Sequence, residues 1–411
     1  MKELIFTGLD VGSSMIHVVV GQLDAEGKMQ IIGGASHPSD GINKGSVVSV
    51  EDAVASISKC LEKAERMIGR PIDNAVVGIS GINIKTQDGR GVIAVTKADG
   101  EISEDEVERV LDAARTVVTP INYEILHNIP IRYNVDDQKG IKDPVGMSGN
   151  RLEVESLIIE SLTVHNKNLT KAIFRAGLDI TDLVYNGLAI AGSVLDKRQK
   201  ELGVAVVDLG ASTTTITVYE EGTLILTKVL PIGAGHITND IAVCLRVQVD
   251  LAEKIKLFYG TALPAEVDKK EEINLAEIDE RETDSIMKKE LANVIEARVE
   301  EIFKLIDQEL QIIGRSGKLP AGIVLTGGGA KLNGIIEVAK KQFRLPVSIG
   351  TPQRVSRVID KVDDPSFVTA TGLVLWGNDH ENYSGPGIFG KLSGFSGGAT
   401  RKIKKWFKSL T

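Results

Sequence analysis

Two aspartates, Asp10 and Asp208, each end a run of apolar residues and open a glycine-containing turn. The first lies in GLDVGSSMIHVVVG and the second in VVDLGASTTTITVYEEG, so each segment is typical of strand, tight turn and strand. Glycine lets the backbone turn sharply, and successive N–H groups at such turns bind anions. A carboxylate beside the turn can hold a hydrated Mg²⁺ against phosphate oxygens. The predicted phosphate-binding residues are Gly12, Ser13 and Ser14 in the first loop and Gly210, Ser212, Thr213 and Thr214 in the second.

The presence of two such segments is stronger evidence for a nucleotide site than either segment alone. A single Asp-x-Gly turn is usually only a β-hairpin. Two copies in matching strand contexts predict a duplicated clamp that closes on one nucleotide from both sides. A third segment, 319–334, is typical of a buried strand, a triple glycine and the start of a helix. The sequence contains no P-loop motif and no G-x-G-x-x-G directly after a predicted strand, so neither of those nucleotide-binding folds is indicated.

The order of these elements resembles the superfamily of actin, sugar kinases and heat-shock ATPases. Segments 184–195 and 366–377 resemble the two hinge helices of that superfamily, and 249–260 resembles its nucleoside-binding helix. The resemblance implies ATP and Mg²⁺ as cofactors, with Asp10 and Asp208 positioning the metal through its waters. It also implies that the chain passes close to the adenosine at the triple glycine and that two residues of the helix hold the ribose and base: Gly327, Gly328, Gly329, Glu253 and Lys256. The alternative for the last two is a solvated helical salt bridge.

Over nearly its full length the chain resembles the bacterial cell-division family FtsA. The stretches that carry this resemblance are GLDVGSSMIHVVVG, LVYNGLAIAGSVL, the long second loop through PIGAGHITNDIA, AGIVLTGGGAKLNG and a basic C-terminus. The resemblance implies self-assembly into protofilaments, contact with other division proteins, and binding of the C-terminal peptide of the tubulin-like protein FtsZ. Arg298 on a long helix near 283–310 is the candidate contact for that peptide, although a lone arginine on a helix is usually solvated.

Hydrolysis is less well specified than nucleotide binding. Members of the superfamily position the attacking water with a polar side chain, and the segment ESLTVHNKNLTK offers Glu160, His165 and Asn168. The sequence does not choose among these three. We expect ATP binding that serves assembly, with at most a slow ATPase activity.

The predicted fold is α/β, a two-lobed actin-like ATPase fold with a displaced extra α+β subdomain and a C-terminal amphipathic helix. The inserted subdomain is expected to include a helix capped by Ser103 and Glu106, with Val118 at the end of its apolar stripe. The predicted boundaries are 1–83 with 162–193 for the first core lobe, 84–161 for the inserted subdomain, 194–236 with 316–377 for the second core lobe, 237–315 for a helical insert of the second lobe, 378–399 for a flexible linker and 400–411 for the amphipathic helix.

Composition and charge limit the class of protein. The chain has 411 residues, 42% of them hydrophobic, and a formal net charge of −8. Residues 390–411 are basic and contain no acid, so the body is acidic and nucleic-acid binding by the body is not expected. Cys60 and Cys244 are predicted to be core thiols of a reducing compartment. The absence of an apolar run of 18 residues and of a signal peptide predicts the cytoplasm. The family resemblance implies the cytoplasmic face of the cell membrane, at the division site.

The last twelve residues, TRKIKKWFKSLT, predict that membrane contact. Ile403, Trp406, Phe407 and Leu410 share one helical stripe, whereas Lys404 and Lys405 belong to the basic side. A basic helix with large apolar residues on one face suits an anionic lipid interface. The alternative is a helix that docks on the protein's own core or on a protein partner.

Two other functions share the same core. One is a nucleotide-binding scaffold of a type IV pilus assembly, similar to PilM, and the other is a sugar or acetate kinase. The lipid-binding tail distinguishes the division protein from both, because neither alternative requires it.

Overall fold

The computed structural model describes residues 4–96, 99–116, 119–357 and 360–380. The predicted amphipathic helix, the predicted linker from residue 381 onward and Val118 lie outside these residues. The described part is α/β, as predicted, and contains two principal sheets and a smaller third sheet. Within the described ranges, no helix is long and apolar enough to cross a membrane.

The first sheet has six strands in the order β11-β6-β1-β2-β3-β19. These strands are β1 Ile5–Val11, β2 Met15–Leu23, β3 Met29–Pro38, β6 Asn74–Ile79, β11 Asp179–Tyr185 and β19 Ser356–Arg357. Helices α1 Val50–Ile68 and α3 Thr163–Arg175 pack on one face, and α10 Val368–His380 packs on the other. Strand β1 serves both faces because its side chains alternate: Leu9 joins the α1 side and Phe6 the α10 side.

The second sheet has five strands in the order β14-β13-β12-β17-β18. These are β12 Val204–Leu209, β13 Thr214–Glu220, β14 Thr223–Leu230, β17 Ile323–Thr326 and β18 Val347–Ile349. Its helices are α6 Ala234–Leu245, α7 Val249–Tyr259, α8 Lys288–Ile312 and α9 Ile335–Phe343. The large core on this side includes Ile302, Phe303 and Phe343, all buried. Helices α7 and α8 and most of α6 lie within the segment 237–315.

The two principal sheets repeat one topology. In each, the strand that carries the aspartate pairs parallel with one neighbour and antiparallel with the strand that follows the turn: β1 with β6 and β2, β12 with β17 and β13. Asp10 lies opposite His17 in its antiparallel ladder, and Asp208 lies opposite Thr215 at the equivalent register. The two Asp-Gly segments therefore occupy the same place in two copies of one strand arrangement.

The third sheet belongs to an inserted α+β unit. Its strands, in the order β7-β10-β8-β9, are β7 Ile84–Ala94, β8 Tyr123–Val135, β9 Gln138–Ile141 and β10 Arg151–Leu162. Helix α2 Glu104–Ala114 covers one face with Val107, Val110 and Leu111. The predicted capping box is confirmed, because the Glu106 carboxylate accepts the Ser103 N–H at 2.9 Å.

The remaining elements connect these units. They are the hairpin strands β4 Ile42–Asn43 and β5 Ser46–Val47, the hairpin strands β15 Glu272–Asn274 and β16 Ser285–Met287, the hinge helix α4 Asn186–Val194 and the short helix α5 Lys197–Leu202. Helix α4 contacts strands of both principal sheets and packs against α10. The hinge helices predicted at 184–195 and 366–377 therefore lie against each other between the two lobes.

Four expectations from the sequence differ from the structure. Strand β19 pairs with β3, and α10 packs on β1, β2 and β6, so the end of the 316–377 segment lies on the first sheet and not in the second lobe. Residues 378–380 belong to α10 and not to a linker. Cys244 is exposed, because it lies in the last turn of α6, beyond the buried residues of that helix, which end at Ala242, whereas Cys60 is buried. The long helix begins at Lys288, because residues 285–287 pair as β16.

Candidate functional site

The two glycine turns have the same hydrogen bond. The Gly12 N–H donates to the Met15 carbonyl at 3.1 Å, and the Gly210 N–H donates to the Thr213 carbonyl at 3.0 Å. Each bond closes the turn immediately after the strand that carries the aspartate. Asp10 and Asp208 thereby reach the same cleft from the ends of β1 and β12.

This cleft has a volume of about 1470 Å³, above the roughly 300–1,000 Å³ of typical small-molecule pockets and ample for a nucleotide. Most of the residues predicted for the site line it: Asp10, Gly12, Ser13, Ser14, Asp208, Gly210, Ser212, Thr213, Glu253, Lys256, Gly327, Gly328 and Gly329. Thr214 is the exception. It is buried in β13, where its hydroxyl donates to the Ile232 carbonyl at 2.7 Å, and it is absent from the cleft lining. The alternation of side chains along the strand turns Thr214 into the core.

The two aspartates are mostly buried, and a nearby cation would stabilise their charged forms. Burial and the charge of Asp208 raise the pKa of Asp10 to about 7, although a hydrogen bond from Asn186 Nδ2 to Asp10 Oδ1 at 3.1 Å opposes this shift. Burial raises the pKa of Asp208 to about 6. Both carboxylates are therefore costly to ionise in the ligand-free protein, and a divalent cation would favour their charged forms. His17 lies nearby, with Nδ1 3.9 Å from Asp10 Oδ2.

The second loop is fixed on the first turn of α6. The Ala234 N–H donates to the Gly210 carbonyl at 2.8 Å, and the Gly235 N–H donates to the Ala211 carbonyl at 2.7 Å. The loop is thus held by backbone contacts, which leaves the side chains of Ser212 and Thr213 at the cleft. The segment PIGAGH places its glycines where this backbone approach is closest.

Glu253 and Lys256 form an ion pair on the cleft wall. Lys256 Nζ lies 2.7 Å from Glu253 Oε2 and donates to Thr238 Oγ1 at 2.8 Å. The Lys256 side chain is 10% exposed and the Glu253 side chain 42% exposed, so the pair is solvated mainly at its Glu253 end. Its position on α7 at the cleft is compatible with the nucleoside contact implied by the resemblance.

The triple glycine packs directly against Asp208. Gly327 has φ +82°, and a Cβ at this residue would lie 2.3 Å from Asp208 Oδ1, so only glycine fits. A Cβ on Gly328 would instead meet nothing within 4 Å. The turn therefore supports the carboxylate with one glycine and leaves open space at the next.

The three polar candidates for positioning water lie in different surroundings. Glu160 is buried and accepts a hydrogen bond from Gln87 Nε2 at 2.7 Å, and neither it nor Asn168 lines the cleft. His165 is the one of the three that lines the cleft. Burial lowers the pKa of His165, which favours the neutral ring.

Asn186 is a site residue that the sequence analysis missed. It is the first residue of α4, lines the cleft and donates to Asp10, while its Oδ1 has no hydrogen-bond partner among the described residues. The signal was present, because Asn186 is the polar residue at the start of the recognised hinge segment VYNGLAIAGSVL.

Arg298 lies away from the cleft and is not a free cation. Its guanidinium donates to Asp240 at 2.5 and 2.9 Å and to Glu301 at 2.5 Å, which ties α8 to α6. Among the described residues, no group of three or more His, Cys, Asp or Glu side chains is placed to hold a metal by itself. The two aspartates and Asn186 Oδ1 fit a hydrated Mg²⁺ whose other ligands come from phosphates and water.

The fold has known counterparts among solved structures. The PilM–PilN type IV pilus biogenesis complex matches with a TM-score of 0.68 at 18% identity, covering 91% of this chain and 98% of that chain. MreB 5 of Spiroplasma citri bound to AMPPNP matches with a TM-score of 0.55 at 14% identity, covering 92% of this chain and 97% of that chain. Identities this low show the fold alone. The protein has the actin-like ATPase fold, with two lobes around a cleft, as predicted.

The family follows from closer relatives. A family model described as cell division protein FtsA matches residues 205–372, and one described as the SHS2 domain inserted in FtsA matches residues 81–160. FtsA of Pseudomonas aeruginosa is 38% identical over 370 residues, covering 90% of this chain and 88% of that protein. FtsA of Borreliella burgdorferi is 36% identical over 414 residues, covering 99% of each chain. The chain belongs to the FtsA family of cell-division proteins, as its sequence resemblance predicted.

Proposed function

We propose that this division protein binds one Mg·ATP in the cleft between the Asp10 and Asp208 loops. The observation that carries the proposal is the pair of buried aspartates with raised pKa, each on an identically closed glycine turn. Solved relatives of the fold are described as bound to ADP and to AMPPNP, which supports a nucleotide at the equivalent place.

In this proposal, Asp10 and Asp208 would hold the water ligands of Mg²⁺, which would supply positive charge to the phosphates. The first-loop and second-loop hydroxyls and N–H groups would hold the phosphates from opposite sides. Glu253 and Lys256 take the ribose and base, and Gly328 leaves room for the adenosine. Because the ligand contacts both lobes, its phosphate state would bias the angle between them.

Hydrolysis in this site would be slow. Asn186 Oδ1 has no hydrogen-bond partner among the described residues, and the neutral ring of His165 lines the same cleft, so both can accept a hydrogen bond from a water. Neither group is an ionised carboxylate, so neither is a strong general base. We therefore assign Asn186 and His165 to orienting water, and Asp10 and Asp208 to the catalytic metal.

We further propose that the protein polymerises with ATP and tethers FtsZ filaments to the cytoplasmic face of the cell membrane at the division site. The support is the FtsA family membership and the basic amphipathic sequence of residues 400–411. Ile403, Trp406, Phe407 and Leu410 would enter the interface, and Lys404 and Lys405 would face anionic headgroups. The FtsZ C-terminal peptide would bind the α6–α8 surface that Arg298 and Asp240 hold together.

Co-sedimentation with anionic liposomes tests the tether. The full chain with Mg·ATP should pellet with the vesicles, and electron microscopy of lipid monolayers should show filaments. A chain ending at residue 399 should remain in the supernatant while it still binds ATP. If the shortened chain pellets as well as the full chain, the membrane part of the proposal is wrong.

A further inference from the structure

The lysines that line the cleft differ in whether a carboxylate neutralises their charge. Four are found among the described lining residues: Lys44, Lys256, Lys288 and Lys331. Three of them are neutralised, by Glu253 at 2.7 Å, by Glu271 at 2.6 Å and by Asp364, respectively. Lys44 has no carboxylate partner within the described part of the chain. It is thus the cleft lysine whose charge is not already compensated.

Lys44 occupies the turn of the β4–β5 hairpin. Its φ is +48° and that of Gly45 is +78°, the two left-handed residues of a type I′ turn. A left-handed backbone is uncommon for lysine, whereas Asn and Gly adopt it readily. The choice of lysine at this turn position therefore has no explanation in the local backbone.

The tip of the hairpin is fixed to the first phosphate loop. The Gly45 N–H donates to Ser13 Oγ at 3.1 Å, and a Cβ on Gly45 would lie 2.6 Å from Gly81 Cα. On the following strand, Ser46 Oγ accepts from Asn83 Nδ2 at 2.8 Å. The Lys44 backbone is thereby held beside the loop of Asp10, Gly12 and Ser13, on the side of the cleft where phosphate would bind.

We propose that Lys44 is a further phosphate-binding residue, which recognises the terminal phosphate of a nucleoside triphosphate. This inference rests on the proposed function. A lysine ammonium offers three donors and a full charge to phosphate oxygens, and no other lysine of the described cleft lining is uncompensated. Because Gly45 bonds to Ser13, the same hairpin would make the first loop sensitive to whether a third phosphate is present.

Calorimetric titration of the full chain with Mg·ATP and Mg·ADP tests this. Lys44→Gln should weaken Mg·ATP binding about tenfold to a hundredfold, the usual size of a lost charge-assisted contact, and change Mg·ADP binding less than about threefold. Lys44→Arg should keep most of the affinity for ATP. Lys59→Gln, an exposed lysine on α1 outside the cleft lining, is the matched control and should change neither affinity.

A second variant separates binding from folding. Lys44→Asn removes the charge but suits the left-handed turn, so its melting temperature should equal or exceed that of the wild type, with the same selective loss of ATP affinity. Equal losses for ATP and ADP, or no loss for either, in a folded Lys44→Asn protein would overturn the role of Lys44. If the wild type binds neither nucleotide, the proposed function fails, and this inference fails with it.

Discussion

Asp208 faces Asp10 across the cleft, and its charge adds to burial in raising the pKa of Asp10 to about 7. The two residues come from equivalent strands of two sheets that repeat one topology. The fold therefore places two carboxylates together at a cost to the ligand-free protein. A bound cation would remove that cost, so the arrangement favours a function that requires a metal.

This relationship predicts that Asp10→Asn stabilises the ligand-free protein at high pH. Because the folded-state pKa of Asp10 is raised, the folded protein holds a proton that the unfolded chain releases, and stability falls as pH rises from about 4 to about 7. At pH 8, Asp10→Asn should therefore raise the free energy of unfolding by about 2–4 kcal/mol, measured by urea unfolding. At pH 4 the difference should vanish. A variant less stable than the wild type at pH 8 would contradict the assignment.

The triple glycine predicts opposite behaviour for neighbouring residues. Gly327→Ala places a Cβ against Asp208 Oδ1 in a left-handed backbone, and it should lower the free energy of unfolding by more than about 1 kcal/mol. Gly328→Ala enters open space, so its stability should be unchanged within about 0.5 kcal/mol while Mg·ATP affinity falls. Thermal unfolding and calorimetry on both variants check this. Wild-type ATP affinity in Gly328→Ala would show that the triple glycine does not contact the adenosine.

His127 predicts an acid-sensitive link between the inserted unit and the hinge. Its Nε2 accepts the Tyr185 N–H at 3.0 Å, immediately before Asn186. Burial lowers the pKa of His127 to about 4, with His380 and Arg115 acting in the same direction and Asp182 opposing. The lowered pKa disfavours protonation in the folded state, so stability falls as pH drops from about 6.5 to about 4, by about 3 kcal/mol in total.

His127→Phe should separate the two contributions of this histidine. At pH 7.5 it should lower the free energy of unfolding by about 1–3 kcal/mol, because the buried Tyr185 N–H loses its acceptor. Between pH 6.5 and 4.5 it should lose stability less steeply than the wild type, because the titrating ring is gone. Urea unfolding at several pH values measures both effects, and an unchanged pH slope would exclude His127 as the titrating group.

For the C-terminal residues, the double change Trp406→Glu with Phe407→Glu should release the protein from anionic vesicles. It removes two apolar anchors, each contributing at best roughly 1.5–3 kcal/mol, and places carboxylates against anionic lipid. High salt should weaken wild-type binding only in part, because screening acts on the lysine contribution and not on the apolar one. Vesicle pelleting with Mg·ATP calorimetry as the folding control measures this, and wild-type pelleting of the double variant would refute the lipid contact.

The sequence predicted the elements that depend on local pattern. The two Asp-Gly turns, the hinge segment and the capped helix α2 are each encoded within a few neighbouring residues, so their positions were recognisable. Even there, Thr214 was assigned to the cleft because its hydroxyl chemistry is suitable, although strand alternation turns it to Ile232.

What the sequence did not predict depends on contacts between distant segments. Asn186 contacts Asp10 because of the position that α4 takes in the fold. Arg298 pairs with Asp240 because α6 packs beside α8. The placement of α10 on the first sheet likewise depends on packing and not on its own sequence pattern. Periodicity indicates that a helix has a buried face but not which sheet that face covers.

The most direct test of the central claim is calorimetric titration of Mg·ATP into the wild type, Asp10→Ala and Asp208→Ala. The wild type should bind one equivalent. Each variant should bind about tenfold to a hundredfold more weakly, because charge-assisted contacts in such sites contribute roughly 1.5–3 kcal/mol. Undiminished affinity in both variants would show that the nucleotide does not lie between these two loops.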